Sequence, residues 1–81
     1  MKQLLVFRTR NLRRVLVFDT GTEFLGEKVY AIDTVNKKGK SLIRFGNETQ
    51  MLSMLIGYRH SIMPDEQFGD YEAFMKERYY R

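Results

Sequence analysis

Seven basic residues occur in two short stretches of the first half of the chain, a pattern suited to phosphate binding. They are Arg8, Arg10, Arg13, Arg14, Lys37, Lys38 and Lys40. Arginine contacts phosphate through two parallel hydrogen bonds, whereas the lysine ammonium group acts as a point charge. Residues 1–44 contain ten Lys or Arg and four Asp or Glu, whereas residues 45–81 contain four Lys or Arg and six Asp or Glu. This imbalance predicts an anionic partner for the first half, although cations at hairpin tips can also simply keep a sheet soluble.

Four apolar runs rich in β-branched and aromatic residues precede two helical patterns. The strands are predicted over residues 3–8, 14–20, 27–35 and 40–45. The second strand is predicted to end at Thr20-Gly21-Thr22, and Gly39 marks a hairpin loop. Asn47 and Gln50 form a capping-box pattern that begins a first helix, and a second amphipathic helix is predicted to start at Pro64 or Asp65.

The order of these elements predicts an α+β fold, a four-stranded antiparallel meander followed by two helices packed on one face. In a meander the first and third connections lie at the same end of the sheet. The seven cations should therefore converge there. Several strands are apolar on both faces, so two helices would leave one face open, and that face is a candidate dimer or partner surface.

One segment could in principle support acid–base chemistry. Leu16–Thr22 (LVFDTGT) resembles the catalytic turn of retroviral-type aspartic proteases, and Leu55-Ile56-Gly57 resembles a later element of that family. The resemblance implies two Asp19 carboxylates, one from each subunit, that share a proton and activate water. It covers about ten residues, with too short an interval for the flap and strands of that family. We therefore interpret the segment as a strand that ends in an ordinary Asp/Thr/Gly turn.

Other candidate catalytic or metal-binding residues lack the partner residues that their chemistry requires. His60 is the only histidine and adjoins Ser61, but a hydrolase triad also requires an aligned nucleophile and an orienting carboxylate. A single histidine with scattered acids is a poor metal site, and the chain contains no cysteine. We expect no enzymatic activity, no cofactor and no metal.

The C-terminal segment is unusually aromatic for a chain end. Tyr71, Met75, Tyr79 and Tyr80 recur on one predicted helix and its end. Tyr and Met are enriched at protein interfaces, so these four residues are candidate anchors for a protein partner. Alternatively, Tyr79 and Tyr80 dock onto the domain itself.

The length and composition of the chain limit the class of protein to which it can belong. Its 81 residues fit a single domain, 1–81. No apolar run is long enough for a signal-peptide core or a membrane span. Small secreted domains usually carry disulfides, so the absence of cysteine favours the cytoplasm. A homodimer would bury additional apolar surface.

Three functions remain open from the sequence. The first is a non-enzymatic module whose basic sheet end contacts nucleic acid or a nucleoprotein. The second is a protein-binding adaptor or inhibitor of the kind often encoded by phages and mobile elements, using the C-terminal aromatic residues or the open sheet face. The third is a binder of a small anionic ligand such as a nucleotide.

Overall fold

The computed structural model describes residues 1–64 and 66–80, and the side chains of all of these except 66 and 67. In it, four strands precede the helices. The strands are β1 (Lys2–Phe7), β2 (Leu12–Phe24), β3 (Glu27–Asn36) and β4 (Ser41–Gly46). The helices are α1 (Glu48–Gly57), a 3-10 turn (Arg59–Ser61) and α2 (Glu66–Arg78). All neighbouring strands pair antiparallel in the order β1-β2-β3-β4. The predicted α+β class and meander are confirmed.

The second strand is longer than the sequence predicts. It does not end at Thr20-Gly21-Thr22 but continues to Phe24. Gly21 takes a φ of +79°, and the pairing register shifts between Asp19 and Glu23. β2 advances four residues here while β3 advances two, so β2 carries two extra residues. Such an irregularity is absorbed as a β-bulge with glycine in the left-handed region, and the strand continues beyond it. The prediction of a turn at this point was therefore wrong.

As a result, the end of β2 and the start of β3, residues 21–28, form an arm that ends in a two-residue turn. Leu25 and Gly26 have φ values of 54° and 80°, between the paired residues Phe24 and Glu27. Two central residues with positive φ are typical of a type I′ turn, which matches the twist of a hairpin. Leucine is strained in this conformation because of its Cβ atom. Phe24 is 70% exposed and Leu25 is 86% exposed.

The hydrophobic core lies between one face of the sheet and the two helices. Residues opposite each other on antiparallel strands share a face, and Leu5, Val17 and Ile32 form one such row. α2 packs mainly on β1, and α1 packs mainly on β3. The largest fully buried side chains of this layer are those of Phe7, Val15, Val17, Met51, Leu55, Tyr71 and Met75.

Tyr71 links the two helices across this core. Its hydroxyl group donates a hydrogen bond of 2.8 Å to the carbonyl oxygen of Leu55, near the end of α1. Its ring meets that of Phe7 edge-to-face, with centroids 5.2 Å apart. Burial raises the pKa of Tyr71 to about 12, because the phenolate would lose its hydration.

The other face of the sheet carries apolar side chains but no helix among the described residues. The alternate positions of β2, β3 and β4 place Leu16, Phe18, Ala31, Val35, Ile43 and Phe45 there. We call this the open face. Asp33 lies within it, opposite Leu16 on one side and Ile43 on the other.

The helix ends follow local sequence signals. The side chain of Asn47 accepts from the backbone N–H of Gln50 at 2.8 Å, and the Gln50 side chain accepts from the N–H of Asn47 at 2.9 Å. This confirms the predicted capping box. α2 begins at Glu66, and the predicted alternative start at Asp65 lies outside the described residues. No helix in the described part of the chain is long and apolar enough to cross a membrane.

Replacing Tyr71 by Phe tests the link between the helices. At pH 7 we expect Tyr71→Phe to lower the free energy of unfolding by about 1 kcal/mol, the usual net value of one hydrogen bond. Tyr71 keeps its proton up to a pH of about 12 in the folded protein, whereas an unfolded tyrosine ionises near pH 10. The wild type therefore loses this part of its stability as the pH rises from 10 to 12, and the variant does not. Urea titrations across this range should show the difference between the two proteins shrinking; a constant difference would contradict the assignment.

Replacing Leu25 by Asn tests the strain in the arm. Asparagine tolerates positive φ, so Leu25→Asn should raise the free energy of unfolding by about 1 kcal/mol. Leu25→Ala is the control, because it removes the exposed side chain but keeps the strained Cβ atom. Equal gains in both variants would mean that exposure, and not backbone strain, is responsible.

Candidate anion-binding site

The two basic connections meet at one end of the sheet. Leu12, the first residue of β2, pairs with Asn36, the last residue of β3. Next to this pair, the guanidinium group of Arg13, the second residue of β2, donates a hydrogen bond of 2.9 Å to the carbonyl oxygen of Lys37 on the β3–β4 connection. The convergence follows directly from the meander, because its first and third connections must lie at the same end.

The β1–β2 connection is fixed from the other side by the segment after the 3-10 turn. Thr9 and Ile62 form an isolated antiparallel bridge. The N–H of Arg10 donates to the carbonyl oxygen of Ser61 at 2.8 Å, and the N–H of Met63 donates to that of Arg8 at 3.0 Å. These hydrogen bonds hold the backbone on both sides of Thr9, so the basic residues flanking it start from a defined position.

Thr9 is a buried polar residue with a structural role in this connection. It is only 5% exposed. Its hydroxyl oxygen accepts from the N–H of Leu12 at 2.9 Å and from that of Asn11 at 3.3 Å. A short loop leaves such donors without strand partners, and a threonine side chain can satisfy them locally. Thr9 therefore shapes the tip that carries Arg10.

The β3–β4 connection is fixed by Asn36. Its side-chain oxygen accepts from the N–H groups of Lys38 at 2.9 Å and Lys40 at 3.0 Å. The N–H of Gly39 donates to the Asn36 carbonyl oxygen at 2.9 Å, and Gly39 takes a φ of +86°. Asparagine and glycine are the residues that this kind of loop needs, so the tip is a defined structure on which the lysines are displayed.

A groove of about 580 Å³ lies between the β1–β2 connection and its neighbours. We call it the basic groove; its lining residues are Arg8, Thr9, Arg10, Leu12, Arg13, Lys37 and Met63. None of these described lining residues is acidic, and the sequence has no Asp or Glu over residues 1–18 or 34–47. Four cations therefore face one concave surface with no carboxylate among its described lining.

The seven predicted cations thus divide into two groups. Arg8, Arg10, Arg13 and Lys37 line the basic groove. Arg14 lies instead on β2 opposite Val35, on the open face, while Lys38 and Lys40 are exposed on the β3–β4 connection. The second group extends the positive surface beyond the groove without forming part of its lining.

Three residues that line the groove, Thr9, Leu12 and Met63, were not predicted. None of the three is a basic residue, so none was part of the predicted cation cluster. A threonine in a short loop is a weak signal for a buried acceptor, while the sequence contains no signal that residues 61–63 return to the β1–β2 connection. That contact depends on how α1 and the 3-10 turn pack.

Asp19 and Ser61, two of the residues considered for catalysis, are held in other interactions. Asp19 accepts from the N–H of Gly21 at 2.9 Å and lies 3.5 Å from the Lys28 ammonium group. The Gly21 N–H lowers the pKa of Asp19, the opposite of what a proton-sharing carboxylate needs. The hydroxyl group of Ser61 donates to the carbonyl oxygen of Tyr58 at 3.0 Å. Among residues 1–64 and 66–80, no group of three or more potential ligands could hold a metal ion.

The C-terminal aromatic residues separate into core and surface. Tyr71 and Met75 are fully buried, so they cannot serve as anchors on the surface and the predicted interface needs correction. Tyr79 and Tyr80 remain about half exposed. Tyr80 is docked by Arg59, whose guanidinium group donates to the Tyr80 hydroxyl at 3.1 Å. Helical spacing in the sequence predicted that the four residues lie on the last helix and at its end. It did not predict which of them face the sheet.

Comparison of the chain with protein-family models, curated proteins and solved structures finds no match.

Replacing Thr9 by Val tests the internal support of the groove. Valine matches the shape of threonine but cannot accept the two loop N–H groups, so Thr9→Val should lower the free energy of unfolding by about 1–3 kcal/mol. Thr9→Ser keeps the acceptor and is the matched control. Chemical denaturation should rank wild type and Thr9→Ser above Thr9→Val; a serine variant as unstable as the valine variant would point to lost methyl packing instead.

Proposed function

We propose that this chain is a non-enzymatic binding module whose basic groove contacts the phosphate groups of nucleic acid, free or in a nucleoprotein. The observation that supports the proposal is the convergence of four cations on one groove with no acidic residue in its described lining. The absence of cysteine fits action in a reducing compartment such as the cytoplasm.

The fixed backbone of both connections favours binding. Loops that order only on association lose conformational entropy, and a preformed site avoids most of that cost. Here the backbone at Arg10 is held by Ser61, and that at Lys38 and Lys40 is held by Asn36. The long basic side chains still have to order, but the points from which they extend are already set.

The charge outside the groove favours an extended polyanion over a single small anion. Arg14, Lys38 and Lys40 continue the positive surface on two sides of the tips. A nucleic acid backbone presents phosphates at regular intervals and can contact both groups of cations. If Arg10, Arg13 and Lys37 each neutralise one duplex phosphate, the logarithm of the affinity should fall with the logarithm of salt with a slope of roughly −3.

A small phosphorylated ligand is the second candidate. The groove volume of about 580 Å³ lies within the range of small-ligand pockets, roughly 300–1,000 Å³. A nucleotide would be held by the groove cations alone and would gain nothing from a longer chain. Measuring affinity against oligonucleotide length therefore separates the two candidates.

Removing two groove cations tests the proposal. Arg10→Gln with Lys37→Gln removes charge but leaves Arg13, whose guanidinium group supports the fold. Fluorescence anisotropy with labelled single- and double-stranded oligonucleotides should show weaker binding and a salt slope reduced by roughly 2. The matched control is Lys2→Gln with Lys76→Gln, which lowers the net charge equally at two exposed positions outside the groove.

The control should bind as the wild type does. Equal weakening in both double variants would mean that only net charge matters and would overturn the groove as the site. Absence of oligonucleotide binding by the wild type at low salt would overturn the nucleic-acid proposal itself. Saturable binding that does not strengthen with oligonucleotide length would favour the small-ligand candidate.

A further inference from the structure

The outer edge of β4 is a second surface that is unusual for a small domain. Within the described residues, β4 pairs with β3 on one side only, and this pairing runs without a register shift from Ser41 to Gly46. Exposed edges are normally protected by charges, proline or bulges, because their free N–H and C=O groups can pair with another chain. β4 has no proline and no bulge, and Arg44 is its only charge.

Apolar side chains are exposed along both faces of this edge strand. Leu42 is 54% exposed on the helix side, while Ile43 and Phe45 are 52% and 62% exposed on the open face. A regular edge with free hydrogen-bonding groups and apolar residues on both faces suits the addition of another strand.

We propose that the occupant of this edge is a second copy of the chain, whose β4 pairs antiparallel with this β4 to form one continuous eight-stranded sheet. The two copies are related by a twofold axis, so the same surface is used by both. The inference concerns a surface outside the basic groove and does not depend on the proposed function.

The distribution of charge along β4 favours this occupant and this direction. Lys38 and Lys40 precede the strand, while Glu48 follows it. Glu27 also lies at the far end, where its carboxylate accepts from the Asn47 amide at 3.3 Å. Antiparallel pairing places Lys38 and Lys40 of one copy toward Glu48 and Glu27 of the other, whose neighbours also include Lys28 and Arg78. Parallel pairing would instead place the lysines of the two copies side by side.

The same reasoning selects a register. Each face of the joint sheet stays continuous only if residues of the same face lie opposite each other. Pairing centred on Ile43 satisfies this condition and places Arg44 opposite Leu42. A shift by one residue of the centre, to Arg44, would set two guanidinium groups directly opposite each other, which is destabilising.

Asp33 explains why the copies would meet edge to edge and not face to face. Its Oδ1 atom is buried among the apolar residues of the open face and has no hydrogen-bond partner. Covering this face with the same face of another copy would desolvate two carboxylates, which is costly unless both are paired. Strand addition at β4 leaves Asp33 at its present surface.

Oligomeric state measured by sedimentation tests the proposal. The wild type should be a dimer at micromolar to submillimolar concentrations, and Phe45→Lys should be a folded monomer by circular dichroism and sedimentation. Phe24→Lys is the matched control, since Phe24 is an apolar residue that is at least as exposed as Phe45 but lies on the arm; this variant should remain dimeric. A monomeric wild type, or a dimer lost equally in Phe24→Lys, would overturn the proposal.

Cross-linking tests the register independently of stability. The chain has no cysteine, so Ile43→Cys introduces a single thiol. Under mild oxidation this variant should form a disulfide-linked dimer at low protein concentration, whereas Lys76→Cys, on the exposed side of α2, should not. Equal cross-linking of the two variants, or none in Ile43→Cys while the wild type is dimeric, would overturn pairing about Ile43. Oligonucleotide binding by the monomeric Phe45→Lys variant would show that the groove functions without the dimer.

Discussion

The pairing of β2 with β3 is the constraint on which the rest of the structure depends. At one end it sets Leu12 opposite Asn36, which brings two basic connections within hydrogen-bonding distance through Arg13 and Lys37. At the other end it continues past the bulge at Gly21 to form the arm. β1 and β4 are each added to one side of this pair. A different partner for either central strand would separate the connections, and the basic groove would not form.

The two helices cover only one face of this sheet, and the consequences differ from strand to strand. α2 packs on β1 and α1 on β3, so the helix side of β4 is left partly exposed at Leu42. On the open face, Ala31 is almost fully buried by its own neighbours, in the row that contains Phe18 and Phe45. The sheet thus partly shields its uncovered face with its own side chains, and its most exposed apolar strand is the edge strand β4.

The sequence was sufficient for the order of the elements and the sheet topology, and hence for the placement of the first and third connections at the same end, because these depend on local apolar runs and on short connections. It was insufficient where the local structure depends on a contact between residues that are far apart in the chain. Gly21 has the same local signature in a turn and in a bulge, and only continued pairing with β3 distinguishes them. The bridge between Thr9 and Ile62 joins segments far apart in the chain. Helical periodicity predicted that Tyr71 lies on α2 and Tyr80 at its end. Only the burial of each side chain shows that Tyr71 belongs to the core and that Tyr80 lies on the surface.

The division of the cations connects the two proposed surfaces. Those that line the basic groove are Arg8 and Arg10 on the β1–β2 connection, Arg13 on β2, and Lys37. Lys38 and Lys40 lie closer in sequence to β4, so they border both the positive surface around the groove and the proposed dimer edge. Antiparallel pairing about Ile43 would then place the two grooves at opposite ends of the joint sheet, because the basic ends of the copies point in opposite directions. A phosphate backbone bound in one groove would not be continuous with the other, so each dimer would bind two separate segments of nucleic acid.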